Sequence, residues 1–288
     1  MVRQPPPNND HPAARDLTSP ENGEVVTLGE YIFASDDRLT EIHLGALDRA
    51  FDRISIQRLL DSGVGPGWRC LDVGAGSGSL ASWLARRVGR SGEVVATDVD
   101  LRGLRHVAGS NLRVLEHDIT VDALSRGSYD LVHGRLLLIL LQRRRELLEP
   151  LVRALKPGGV LLMEDFDVEG AGTVCAPSAA EGELFDRVLW SYLDAMSAAG
   201  ADIHWGRHLY GELCRIGLRD VSSVGTAEVW RGGSPGCELI QANFTQLRER
   251  MLAEGRVDPD ELRRATELLG DPRFAMRGFL LVGNSGIR

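Results

Sequence analysis

Cysteine is scarce in this chain. Cys70, Cys175, Cys214 and Cys237 are scattered through 288 residues, and no C-x-x-C pair occurs. That speaks against a disulfide framework and a zinc site, and it suits a reducing cytoplasm. Long apolar runs are missing too. The longest, Leu136 to Leu141, is far too short to span a bilayer, and the N-terminus has no apolar signal-peptide core. Nor is there a basic excess. With 33 basic and 41 acidic residues the net charge is −8, a field that favours neither nucleic acid nor an anionic membrane. The one basic run, Arg143-Arg144-Arg145, is followed by Glu146 and Glu149, as at a solvated helix start. No internal repeat interrupts the chain.

What is present describes an ordinary globular protein, 43% hydrophobic and 26% charged, large enough for one domain with a sizeable insertion. Residues 1–27, with Pro5-Pro6-Pro7 and Asn8-Asn9, lack periodicity and read as a disordered tail. A helical stripe of Leu44, Leu47, Phe51 and Ile54 follows. Strands are expected at Arg69–Val73, Glu93–Asp98, Leu112–Leu115, Tyr129–His133 and Val160–Glu164, with helical segments at Leu80–Val88, Leu101–Ser110 and Glu146–Leu155 between them. That rhythm predicts a doubly wound parallel sheet. Further on, helices are expected over Leu184–Met196 and Leu209–Ile216, and after the caps Ser234-Pro235 and Asp258-Pro259. Val221–Trp230 and Met276–Gly283 read as strands.

The chemistry gathers at Cys70-Leu71-Asp72-Val73-Gly74-Ala75-Gly76-Ser77-Gly78. An apolar strand meets an acid, then a loop with glycine at alternate positions, then a helix. Such a loop turns sharply and lets its backbone N–H groups approach a ligand. Alternate glycines alone are weak evidence, because nicotinamide enzymes use a related G-x-G-x-x-G loop. Three further features narrow the choice. Asp98 ends the next strand, where an acid can accept from ribose hydroxyls. Asp118 ends the third, where it can accept from an adenine amine. Lys156-Pro157-Gly158-Gly159 precedes the fifth. Each aspartate alone is as easily a turn residue; their recurrence beside the glycine loop is what suggests ligands.

With these residues in place, the chain resembles the class I S-adenosylmethionine-dependent methyltransferases, in particular the UbiE-like and natural-product branch. The matching stretches are LDVGAGSGSLASWLA, VVATDVD, EHDI, YDLVHGRLLLILL and LKPGGVLLMEDFD, roughly residues 67–167 in the family's order. The resemblance implies an α/β, Rossmann-like, seven-stranded sheet with its last strand antiparallel, plus helical lid insertions. It implies a division into an N-terminal helical lid (28–66), a cofactor-binding core (67–167), and acceptor-side helices with the final strands (168–288). It places S-adenosylmethionine against Tyr31, Asp72, Gly74, Ala75, Gly76, Asp98, Val99, Asp118, Ile119, His133 and Arg135.

Methyl transfer asks the protein mainly for alignment and exclusion of water, although an oxygen acceptor of high pKa usually needs a base. His133, at the end of the fourth strand, is the candidate base or positioning residue; a purely backbone contact with the cofactor is the alternative. Asp165, Asp167, His204 and His208 are weaker acceptor-side candidates, and no metal set is evident. Trp190, Tyr192, Trp205, Trp230 and Phe244 offer aromatic surface for an apolar acceptor, or core packing. The expectation is a cytoplasmic enzyme acting on a small molecule, a secondary metabolite or its precursor, with no nucleic-acid or membrane partner and a homodimer left open. An RNA or protein methyltransferase, and a methyltransferase fold using the cofactor for other chemistry, are the alternatives.

Overall fold

In a computed structural model, which describes residues 37–253 and 255–288, the chain opens with α1 (Asp37–Asp61). The expected tail over 1–27 and Tyr31 lie outside the described residues. Then come β1 (Arg69–Val73), α2 (Ser79–Val88), β2 (Glu93–Asp98), β3 (Leu112–Glu116), β4 (Tyr129–Arg135), α3 (Arg144–Ala154) and β5 (Leu155–Asp167). After these follow β6 (Gly172–Cys175), α4 (Ala179–Ala198), α5 (Trp205–Arg215), β7 (Arg219–Thr226) and β8 (Val229–Arg231). The chain closes with α6 (Pro235–Gln246), α7 (Arg248–Ala253), α8 (Pro259–Leu268), β9 (Ala275–Arg277) and β10 (Leu280–Ile287).

Seven strands form one sheet in the order β3-β2-β1-β4-β5-β10-β7. β1 pairs in parallel with both β2 and β4, while β10 runs antiparallel to β5 and β7. This is the sheet that the sequence implied, last strand reversed. The continuous apolar runs of β1 and β2 follow from burial on both faces. The chain leaves β1 toward one side of the sheet and β4 toward the other, so their carboxyl ends frame a crevice, the usual ligand site of open α/β sheets. Among the described residues, no helix is long and apolar enough to cross a membrane.

Three expectations need correction. Leu101–Ser110 forms turns, not a helix. Asp98 and Asp100 each accept a backbone N–H two residues on, which fixes turns. Gly103 is pressed so tightly on the glycine loop that a Cβ there would lie 2.4 Å from the Gly76 carbonyl oxygen. The expected strands Val221–Trp230 and Met276–Gly283 each divide between two sheets, because β6, β9 and β8 form a separate three-stranded sheet. Trp230 is wedged where side chains at Gly236 and Gly278 would collide with its ring, and it pins β8 away from β7. Of the two proline-led caps, Asp258 makes a full capping box with Glu261. Ser234 precedes α6 without a side-chain cap bond.

Candidate active site

A cavity of about 950 Å³ opens at the carboxyl ends of β1 and β4. One end is built from the glycine loop. Gly74, Gly76 and Gly78 all adopt positive φ, which L side chains resist. A Cβ at Gly78 would lie 2.4 Å from Val107. The alternating spacing is therefore dictated by backbone shape and by close neighbours.

Asp98 closes β2, and Asp118 lies two residues beyond β3. Asp98 is half-buried, and desolvation raises its pKa. Its Oδ2 accepts the Gly76 N–H at 2.8 Å and its Oδ1 the Asp100 N–H at 3.0 Å. Each oxygen has lone-pair capacity left for a hydroxyl. Asp118 Oδ1 accepts from the Thr120 backbone and hydroxyl, whereas its Oδ2 is buried with no partner. Beside it, both ring nitrogens of His117 are also buried without partners. Orphaned buried polar atoms are costly, and a ligand with an exocyclic amine and ring acceptors would satisfy them. Gly74, Ala75, Val99 and Ile119 line the same end. The residues present thus fit an adenosyl group. His117 was not singled out in the sequence; its place next to Asp118 at a strand end was the available signal.

His133 has a different setting from the one a base requires. It lies opposite Asp72 in the β1–β4 register and is fully buried. Its Nδ1 is 2.7 Å from Asp72 Oδ1, and its Nε2 is 3.1 Å from Glu164 Oε2. Glu164 in turn accepts from Arg58 Nη1 of α1 at 2.7 Å. Arg58 Nη2 donates to the carbonyls of Val224 and Leu281. Burial opposes charge on the imidazole, but hydrogen bonds to Asp72 and Glu164 outweigh it, so its pKa is pushed up to about 9. The Glu164 carboxyl, disfavoured as an anion by burial, is brought down to about 2 by His133 and Arg58. Asp72–His133–Glu164–Arg58 is a continuous charged chain beneath the cavity floor, and sequence reasoning missed its second half.

Arg135 reaches away from the floor to α1, donating to Asp52 Oδ1 at 2.9 Å and to Ser55 Oγ at 3.2 Å, with Asp48 Oδ1 at 3.3 Å. It holds that helix across the cavity, where Leu44 sits against Gly76 and Gly103. Lys156, by contrast, bonds Asp130 at 2.7 Å. Backbone bonds tie Gly158 and Gly159 to Arg288. That turn fastens the entry of β5, at the opposite edge from the cavity.

The other end of the cavity is apolar, with Phe166, Met196, Ile203, Leu239 and Phe279 in its wall. Of the five aromatic residues expected there, only Tyr192 is a lining residue. Trp205, Trp230 and Phe244 are core, and Trp190 is on the surface. The weaker acceptor-side candidates do not line the cavity either. Asp165 is sealed inside, accepting the Ile139 N–H, with its pKa raised well above normal by burial. Asp167 is held by His204 and Arg207. His208 lies half-exposed, 3.7 Å from Asp202.

A switch-point crevice with a glycine loop and carboxylates at the ends of the neighbouring strands defines a Rossmann-like protein whose residues fit an adenosyl group. Residues 70–159 match the methyltransferase domain family. The chain is 32% identical over 179 residues to the ubiquinone/menaquinone biosynthesis C-methyltransferase UbiE of Azotobacter vinelandii, an alignment covering 59% of this chain and 66% of that one. It therefore spans just under two thirds of that curated relative. Among solved structures, phosphoethanolamine N-methyltransferase 2 of Haemonchus contortus, in complex with S-adenosyl-L-methionine, superposes with TM-score 0.57 at 14% identity, covering 92% of this chain and 60% of that one. Coclaurine N-methyltransferase does so with TM-score 0.50 at 14% identity, covering 90% and 82%. The chain thus carries a methyltransferase domain over residues 70–159 and is similar to the UbiE-like class I S-adenosylmethionine-dependent methyltransferases.

Proposed function

We propose that this protein methylates a neutral, largely apolar small molecule, such as a quinone precursor or an aromatic secondary metabolite. The observation that carries the reading is the continuity of the glycine-loop crevice with an apolar chamber. Among the described residues, the chamber wall formed by α1, α4, α6 and the ends of β5 and β10 carries no charged side chain beyond those paired at the cofactor end; the other charged lining residues, Arg126, Arg143, Glu146 and Arg153, lie before β4 and at α3. A phosphate, carboxylate or ammonium would enter it without a counter-charge, at a cost of several kcal/mol (on the order of 3–5). The similarity to a quinone-pathway C-methyltransferase points the same way.

S-adenosylmethionine, when bound, supplies an electrophilic methyl group. The protein's part is positional. Asp98 and the glycine loop hold the ribose side, and Asp118 with His117 holds the base. Arg135 keeps α1 in place, and the apolar wall excludes water and orients the acceptor. His133, with both ring nitrogens engaged by carboxylates, acts as a positioning residue for Asp72 rather than as a base. Asp72 in turn closes the floor beside Gly74.

The test is incubation with methyl-labelled S-adenosylmethionine and a panel of phenols, hydroquinones, amines and phosphorylated alcohols, followed by mass spectrometry. Label is expected on a neutral hydroxylated ring compound. Transfer only to charged acceptors, or to none while S-adenosylhomocysteine binds, would overturn the proposal.

A further inference from the structure

Inside the apolar chamber one group of polar side chains has no place in the cofactor site. His43 of α1, Tyr192 of α4 and Asn243 of α6 all line the cavity and are all buried. Tyr192 and Asn243 are at most 4% exposed. Asn243 Nδ2 donates to Tyr192 Oη at 2.9 Å, which fixes the amide plane. Its Oδ1 is buried and accepts no hydrogen bond of good geometry among the described residues, with the His43 ring near enough to interact with the amide. A buried carbonyl oxygen without a well-aligned partner costs about 1–3 kcal/mol, and a packed core would ordinarily replace it with an apolar group. His43 stands beside Asn243. Burial depresses its pKa to about 4, the amide only partly offsetting this, so the ring is neutral at physiological pH. The next residue on the helix, Leu44, touches the glycine loop. The polar group therefore sits one residue along α1 from the cofactor end.

We propose that Asn243 Oδ1, oriented by Tyr192 and flanked by the neutral imidazole of His43, is the acceptor-anchoring subsite. It would take a neutral hydroxyl, phenolic or enolic, whose O–H donates to the amide oxygen while the apolar body fills the chamber. This rests on the reading of the chamber as the acceptor site and names the residues that make it selective. An acceptor lacking the hydroxyl leaves Asn243 Oδ1 unsatisfied, the arrangement in which a hydrogen-bonding site discriminates best. An anion is disfavoured because it would meet the carbonyl oxygen and an uncharged ring.

Calorimetric titration of the full chain with 1-naphthol, naphthalene and 1-naphthoate tests this without turnover, and S-adenosylhomocysteine is titrated in parallel. The wild-type protein is expected to bind 1-naphthol about threefold to tenfold more tightly than naphthalene, as one net hydrogen bond implies, and naphthoate more weakly than either. Asn243→Leu should erase the preference for naphthol while leaving S-adenosylhomocysteine affinity unchanged. Tyr192→Phe, which keeps the packing shape and frees the amide, should reduce the preference severalfold and serves if Asn243→Leu does not fold. Equal binding of naphthol and naphthalene, no binding of naphthol, or an undiminished preference in both variants would overturn the subsite. Absence of S-adenosylhomocysteine binding would instead overturn the broader functional reading.

Discussion

The two ends of the cavity are built on different principles. The cofactor end is backbone-rich and acidic, made by consecutive loops at strand ends, and its polar atoms are either engaged or aimed at an adenosyl group. The end proposed to take the acceptor is apolar where α1, α4, α6 and residues next to β5 and β10 form it, and carries one small polar group there. A ligand common to many enzymes is held by chain geometry that tolerates little change. The proposed acceptor would be selected by side chains on helices added around the sheet.

Both ends rest on the charged chain Asp72–His133–Glu164–Arg58, and its loss should have the largest effect. Glu164→Ala strands His133 and Arg58 in the interior, and loss of one partner of a buried pair costs about 3–5 kcal/mol. Urea unfolding should show that loss, and a change under 1 kcal/mol (about 0.5 is ordinary for surface sites) would deny the chain its structural role. The same chain has a pH signature. Because the folded-state pKa of His133 is raised to about 9, its stabilisation is complete below its ordinary value near 6.5 and is lost as pH rises through 9. Stability should fall over that window in the wild type, and His133→Gln should flatten the slope.

At the cofactor end, Asp98→Ala should weaken S-adenosylhomocysteine binding by about 1–3 kcal/mol, the worth of a charged hydrogen-bond acceptor; unchanged calorimetric affinity would contradict the ribose assignment. The smallest effect belongs to Arg135. Arg135→Met releases α1 from Asp48, Asp52 and Ser55, and should weaken cofactor binding by about 1 kcal/mol. If affinity instead stays constant, α1 holds its position over the cavity through packing alone.

The same contrast explains what the sequence disclosed. Strands β1, β2, β4 and β5 were legible because strands buried on both faces are largely apolar runs, the edge strand β3 by its short stretch Leu112–Leu115, and Asp98 and Asp118 were legible because they punctuate these strands. The turns over Leu101–Ser110 were not. That segment is helix-compatible locally, and only its contact with the glycine loop forbids the helix. His43 and Asn243 were invisible for another reason. Each occupies a buried face of a helix, between Ile42 and Leu44 or beside Phe244, where helical spacing looks the same whether the face packs a core or lines a chamber. A polar residue on such a face was the one available hint. Glu164 and Arg58 are brought together from 106 residues apart by the sheet, a distance no local pattern encodes.

On the proposed function, one cavity holds an adenosyl cofactor at its acidic end and a neutral hydroxylated acceptor at its apolar end. Paired calorimetry on Asp98→Ala and Asn243→Leu, each titrated with S-adenosylhomocysteine and with 1-naphthol, tests it most directly. Asp98→Ala should weaken the nucleoside at least about fivefold and leave naphthol unaffected, and Asn243→Leu should do the reverse. Equal losses for both ligands in either variant would contradict the division of the cavity into two sites.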